Sequence, residues 1–158
     1  MHAIVYTSAG IRAIDRIRPL WESLNAYYHR INPRFRAYYE KTDFEARKAY
    51  FCGLCRTGLF RLELATDRET RALAGYCAAS VSDARAGEIE SLFVAPAYRS
   101  RGIGTMLVSR SLGWMGSRKA ERIRVSVSTG NEDVLPFYRK FGFFPRLIVL
   151  EQTGADPS

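Results

Sequence analysis

Cysteine is scarce in this chain of 158 residues, with only Cys52, Cys55 and Cys77, and histidine is scarcer, with only His2 and His29. An odd cysteine count in a chain of this length is no disulfide framework. Cys52 and Cys55 stand at C-x-x-C spacing, but no second pair accompanies them, and Cys77 and both histidines are distant in sequence. No metal centre is expected on that basis. Long apolar runs are also missing. The stretch at residues 92–98 is interrupted by Pro96, far below the ~20 residues that span a bilayer, so no membrane partner is expected. Residues 1–10 lack both a basic leader and a long apolar segment, so no secretory signal is read and a cytoplasmic location is expected. No Pro/Gly/Ser-rich linker, internal repeat or low-complexity run divides the chain. Residues 1–158 are therefore read as one domain, with 151–158 as a frayed tail.

Acid is in deficit. There are 16 Asp and Glu against 24 Lys and Arg, a formal charge of +8, and all but four of the basic residues are arginine. The surplus is concentrated. Residues 99–124 hold seven basic side chains (Arg99, Arg101, Arg110, Arg118, Lys119, Arg122 and Arg124) and one acid, Glu121, which is +6 of the total. A nucleic acid, an anionic small molecule or an arginine-rich composition would each account for such a balance. An anion site is to be sought in that segment first.

With 47% hydrophobic residues the chain can bury a real core. Residues 2–6 read as a strand, broken by Thr7-Ser8-Ala9-Gly10. Ile14, Ile17, Leu20, Trp21, Leu24, Tyr27, Tyr28 and Ile31 recur at helical spacing, with Asp15 as the cap, Pro19 in the first turn and Asn32-Pro33 as the stop. Tyr38 and Tyr39 fall in a loop. A second helix is predicted over 42–55, closed by Gly58. Residues 59–65, 72–81 and 89–94 read as an antiparallel meander with short polar turns. A basic, glycine-bearing loop follows. Then comes a helix with Ile103, Met106, Leu107, Ser111 and Trp114 on one face, and a strand in which Ile123, Val125 and Val127 alternate with polar residues. Strand, helix, strand is a crossover, so that pair should be parallel. A short helix over 132–141, where Pro136 removes a backbone donor or delays the start, and a strand over 146–150 close the chain. The class is α+β, a mostly antiparallel sheet with one parallel pair and helices on its faces.

Arg99-Ser100-Arg101-Gly102-Ile103-Gly104-Thr105 stands between a strand and a helix start. A helix start offers unpaired N–H groups and a positive dipole end. Gly102 and Gly104 let an anion approach the backbone, and Arg99 and Arg101 add charge. The Gly-Lys-Ser/Thr of a Walker loop is absent, and Val108 stands near where a dinucleotide fingerprint would continue to its third glycine.

Arg99-x-x-Gly102-x-Gly104 resembles the coenzyme-A loop, Q/R-x-x-G-x-G/A, of the Gcn5-related N-acetyltransferase (GNAT) superfamily. Residues 89–98 look like that family's fourth strand and its exit. Asn131-x-x-Val134-x-x-Phe137-Tyr138-Arg139-Lys140-Phe141-Gly142-Phe143 looks like its helix after the fifth strand, with valine at 134 where alanine is frequent. The likeness covers residues 60–145. It implies a GNAT fold whose fourth and fifth strands splay around acetyl-CoA. It also implies backbone contacts to the pantetheine arm from Leu92, Phe93 and Val94, and a pyrophosphate loop over Arg101, Gly102, Ile103, Gly104 and Thr105, flanked by Arg99 and Ser100. Tyr138 would be the general acid for the leaving thiolate, and Glu90, or next Glu88, the base acting through water. Asn131, Phe137 and Lys140 complete the cofactor-binding set, with Asn131 either bonding the pantetheine or capping the last helix. Tyr38 and Tyr39 are candidates for the acceptor pocket.

The resemblance implies an acetyl-CoA-dependent N-acetyltransferase that forms a ternary complex with an amine, with a homodimer as the expected assembly. Two alternatives stand beside it. One is a non-catalytic acyl-CoA-binding module. The other is an acetyltransferase for an RNA- or ribosome-linked amine; no RNA-binding motif is present, and nucleic acid is not expected as a partner.

Overall fold

The computed structural model describes residues 3–154. Strand β1 (Ile4–Ala9) leads through a 3-10 stretch at Ile11–Ile17 into helix α1 (Arg18–Ile31). A 3-10 turn at Pro33–Phe35 precedes the short α2 (Arg36–Lys41) and then α3 (Phe44–Leu54). The meander β2 (Gly58–Asp67), β3 (Leu73–Ser82) and β4 (Ala86–Val94) follows. A 3-10 turn at Pro96–Tyr98 leads into α4 (Ile103–Ser117) and β5 (Arg122–Val125). After a last 3-10 turn at Glu132–Val134 comes α5 (Leu135–Arg139). The sheet order is β1-β2-β3-β4-β5. The first four strands are antiparallel, and β4 and β5 are parallel across the α4 crossover.

Central strand β3 is buried along nearly its whole length because helices cover both faces of the sheet. That explains its small, apolar composition. At Gly75 a Cβ would lie 3.0 Å from the Phe93 carbonyl oxygen, so β3 and β4 approach closely there and a side chain would crowd the β4 backbone. On one face α4 buries Ile103, Leu107, Val108 and Met115 against Cys77 and Ile89. On the other, Trp21 and Leu24 of α1 and Phe44 and Phe51 of α3 close over Leu62 and Leu64. Full burial of side chains of this size contributes about 1.5–3 kcal/mol each.

Several expected boundaries move. Strand β1 does not break at Thr7; it runs to Ala9, because Thr7, Ser8 and Ala9 pair with Leu64, Glu63 and Leu62. The expected position His2 lies outside the described residues. Asp15 caps no helix. It sits inside the 3-10 stretch and takes the Lys48 ammonium at 2.8 Å, while Pro19 opens α1 without a side-chain cap. Tyr38 and Tyr39 are on α2, not in a loop. Asp43 caps α3 by accepting from the Ala46 N–H, and Gly58 starts a strand instead of closing a helix. Met106 is exposed, off the buried face of α4. Strand β5 ends at Val125, and the last helix proper covers only Leu135–Arg139, with Pro136 in its first turn, where a missing donor costs least. The strand expected over 146–150 does not form; residues 143–150 have no regular structure.

Candidate active site

The site begins with a break in register. Ala78 faces Ser91 and Ala79 faces Ile89, so Glu90 is an extra residue in β4, a β-bulge. Pairing between β4 and β5 stops at the same place, at Ile89 opposite Val125. Beyond it the two strands separate, and the edge of Glu90, Ser91, Leu92, Phe93 and Val94 that faces away from β3 is left without a strand partner among the described residues. A bulge leaves a backbone carbonyl out of the ladder. Here the Arg47 guanidinium of α3 donates to the Glu90 carbonyl at 2.7 Å and lies 4.7 Å from the ring centres of both Tyr50 and Phe51.

The Glu90 carboxylate is half-buried and accepts from Ser80 Oγ at 2.6 Å and from Tyr50 OH at 3.0 Å. Burial raises its pKa above the ordinary carboxylate value, with Glu88 pushing the same way, although both hydroxyl donors and Arg47 oppose the shift. Burial and the neighbouring Glu90 also push the Tyr50 phenol up to about 12. Glu88 is differently placed, because Arg124 holds it in an ion pair at 2.8 Å. The geometry thus leaves Glu90 as the carboxylate at the splay without an ion-pair partner among the described residues.

On the other side stands Tyr138 of α5, 7% exposed, its ring edge-on to Phe137 and Phe143 at 5.2 and 5.8 Å. Burial raises its pKa strongly, with smaller pushes from Cys77 and Tyr28, so the phenol keeps its proton at neutral pH. It is a core side chain as well as a candidate acid.

The third wall is the start of α4. Ser100 and Gly102 both have left-handed backbone, with φ of 60° and 75°. Gly102 is the N-cap and makes no side-chain capping bond, and its carbonyl already accepts from the Met106 N–H. The first N–H groups of this 15-residue helix therefore point outward without intrahelical partners. A Cβ on Gly102 would meet nothing within 4 Å, and Gly104 lies against Phe137 and Val94. This open, positive cradle fits a pyrophosphate. The arginines are less free than the sequence implied. Arg99 folds back to donate to the Val94 carbonyl at 3.0 Å and lies over Phe93, and Arg101 lies 5.6 Å from the Tyr98 ring centre. Lys140 lies over Phe137 at 5.3 Å.

An aromatic wall closes the end formed by the first helices. Tyr39 OH donates to Ser128 Oγ at 3.1 Å and Tyr27 OH to Asn131 Oδ1 at 3.3 Å, tying α2 and α1 to the segment after β5. Tyr28 stacks beside Tyr39, and Tyr38 is exposed next to it. Asn131 makes no side-chain cap; its amide oxygen is taken by Tyr27. Arg47, Tyr50 and Ser80 were not singled out from the sequence. Arg47 and Tyr50 have helical spacing, but nothing in the sequence ties α3 to a bulge that exists only as a register shift. Cys52 and Cys55 are exposed free thiols on and just after α3, and among the described residues no group of three or more His, Cys, Asp or Glu could hold a metal.

Comparison with known proteins bears on the family and the fold. The sequence model of the Acetyltransferase (GNAT) family matches residues 21–143. A phosphinothricin N-acetyltransferase of Streptomyces coelicolor is 27% identical over 133 residues, covering 82% of this chain and 77% of that protein. An N-alpha-acetyltransferase 30 of Schizosaccharomyces pombe is 35% identical over 72 residues, 44% of this chain and 48% of that one. Among solved structures, an aminoglycoside N-acetyltransferase in complex with CoA superposes with a TM-score of 0.70 at 14% identity, covering 98% of this chain and 96% of that chain.

Proposed function

Because the chain belongs to the acetyltransferase (GNAT) family, we propose that it is an N-acetyltransferase that moves the acetyl group of acetyl-CoA onto a primary amine by direct attack in a ternary complex. The observation that carries this is the free edge of β4, which begins where the Glu90 bulge ends β4–β5 pairing and runs to Val94, against which the open start of α4 packs at Gly104. The N–H groups of Gly102, Ile103, Gly104 and Thr105 would hold the pyrophosphate, with Ser100, Arg99, Arg101 and Lys140 at its margin. The free edge at Leu92, Phe93 and Val94 would hold the pantetheine beside Phe137. A backbone N–H there would stabilise the oxyanion of the tetrahedral intermediate.

The chain's residues divide the proton work. An amine arrives protonated at neutral pH, and Glu90, with its pKa raised by burial, takes that proton through water. The amine nitrogen forms its bond to the acetyl carbon, the carbon–sulfur bond breaks, Tyr138 gives its proton to the departing thiolate, and the second proton of the attacking nitrogen returns through water to the Tyr138 phenolate as the amide forms. The acceptor sits against the wall of Tyr28, Tyr38 and Tyr39. Asn131, whose amide oxygen accepts from Tyr27, would bond the pantetheine. The exposed free thiols of Cys52 and Cys55 accord with a reducing, cytoplasmic setting. One continuous sheet with a core on each face favours a single acetyltransferase domain, and the assembly is proposed to be a homodimer.

Replacing Tyr138 with Phe tests the acid. The variant should bind acetyl-CoA as before and release thiol about 10²–10⁴-fold more slowly. Turnover within twofold of the unaltered protein removes Tyr138 from the mechanism.

A further inference from the structure

Helix α3 holds Glu90 at two points. Arg47, Tyr50 and Phe51 stand at i, i+3 and i+4, so they share one face of the helix. From that face the Arg47 guanidinium bonds the Glu90 backbone carbonyl, and the Tyr50 hydroxyl bonds the carboxylate of the same residue. The bulge at Glu90 decides what β4 presents on each side of the sheet. Ile89 packs on the α4 face, whereas Phe93 packs on the face covered by α1 and α3. An unbroken strand would put residues 89 and 93 on the same face. Two consecutive side chains make the change. Glu90 reaches Tyr50 of α3, and Ser91 shares a 2.8 Å hydrogen bond with Tyr76, which is buried in the same cluster as Phe93. Leu92 and Val94 are thereby turned against the α4 core.

We propose that Arg47 is a positioning residue for acetyl transfer: its bond to the Glu90 carbonyl holds the bulge, and the bulge aims the Glu90 carboxylate at the splay between β4 and β5. This rests on the reading of Glu90 as the base. A bulge leaves a carbonyl without a ladder partner, and a carbonyl left unpaired away from water is costly. Arg47 supplies that partner. It forms no salt bridge among the described residues, so its 2.7 Å bond to a neutral oxygen is the polar contact that fixes it. The rings of Tyr50 and Phe51, each centred 4.7 Å from the guanidinium carbon, hold the side chain in place for it. A flat guanidinium can lie on aromatic rings while its N–H groups bond in its own plane, which an ammonium cannot do. The charge of Arg47 acts in the same place. It lowers the Glu90 pKa, against the larger upward push of burial. The other charged and titratable groups about Glu90 are Tyr50 on α3, Glu88 on β4 and Arg124 on β5.

The test is steady-state kinetics across pH on Arg47→Ala, Arg47→Lys, Glu90→Gln and the double variant Arg47→Ala/Glu90→Gln, with acetyl-CoA and a primary amine. Arg47→Ala should lower kcat about 10-fold or more. KM for acetyl-CoA should stay within about twofold, because α4 and the pairing of residues 92–94 with β3 are untouched. The acid limb of Arg47→Ala should move to higher pH by on the order of half a unit, since a charge that lowers the Glu90 pKa is gone. Arg47→Lys should restore the limb but only part of kcat. On the Glu90→Gln background, Arg47→Ala should change kcat by less than about twofold, because the group it positions is already disabled. A merely destabilised protein has a smaller active fraction; its limb stays in place and its loss multiplies with that of Glu90→Gln. Multiplying losses, an unmoved limb or an unchanged kcat in Arg47→Ala overturns the positioning role and leaves Glu90 as the base. An acid limb unchanged in Glu90→Gln overturns both, and no thiol release with any amine overturns the proposed function and this inference with it. If Arg47→Ala does not fold, Arg47→Lys decides: full kcat in that variant overturns the proposal.

Discussion

Arg110 can be removed with a predictable effect. Glu63 on β2 is 1% exposed and takes Arg110 Nε at 2.6 Å, Arg61 Nε at 2.7 Å and the Ser8 hydroxyl at 2.9 Å. That carboxylate fastens β1, β2 and α4 together. Arg110→Ala deletes the charge-assisted bond to Glu63, about 1.5–3 kcal/mol, and with it the longer bond from the same guanidinium to Ser8 Oγ at 3.1 Å. Arg61 stays in place, so the loss should fall short of the ~3–5 kcal/mol that follows when a buried charge is left alone. About 2 kcal/mol is expected, seen as a fall of about 4–8 °C in Tm for a chain of this size. Arg118, on the same helix's C-terminal end and without a side-chain partner among the described residues, serves as the control and should shift stability by less than about 0.5 kcal/mol when changed to Ala. Urea unfolding of Arg110→Ala, Glu63→Gln and the double variant gives the coupling directly, and about 1 kcal/mol or more is expected. Additive effects, or an Arg110→Ala variant as stable as the Arg118→Ala control, would refute the reasoning.

Two further perturbations address the site. Glu90→Gln should lower kcat/KM about 10²-fold or more and remove an acid limb from the pH profile. The sign follows from burial, which raises the Glu90 pKa: activity is lost as pH falls through a value above the ordinary carboxylate range, and an unchanged profile in Glu90→Gln would exclude this residue as base. Gly102→Ala places a side chain on backbone at φ 75°, a strain of about 1–2 kcal/mol. The strained loop should raise KM for acetyl-CoA with a smaller effect on KM for the amine; equal changes in both would contradict the cradle's assignment.

The sheet meander and the α4 crossover were legible because alternation and helical spacing are local, and Leu107, Ser111 and Trp114 fall where their spacing puts them. The failures share a cause. Ser8 resembles a turn residue but pairs with Glu63 across the sheet, so β1 is longer than its own sequence implies. Residues 147–150 have strand composition without a strand partner in the chain. The Glu90 bulge is a mismatch between two strands, and neither strand carries it alone. Charge behaved the same way. Arg110 and Arg124 are absorbed by Glu63 and Glu88, while Arg118, Lys119 and Arg122 remain without salt-bridge partners among the described residues at one corner of the sheet. Long-range pairing decides each of these, and spacing within one segment does not encode it.

The central claim is acetyl transfer to an amine from acetyl-CoA bound between β4 and β5. Its most direct test is thiol release from acetyl-CoA by the purified protein across a panel of primary amines, run beside calorimetric titration with coenzyme A. The account predicts coenzyme-A binding together with amine-dependent thiol release and an acetylated product in equal amount. Tight coenzyme-A binding with no turnover on any amine would contradict it and leave a binding module on the same fold.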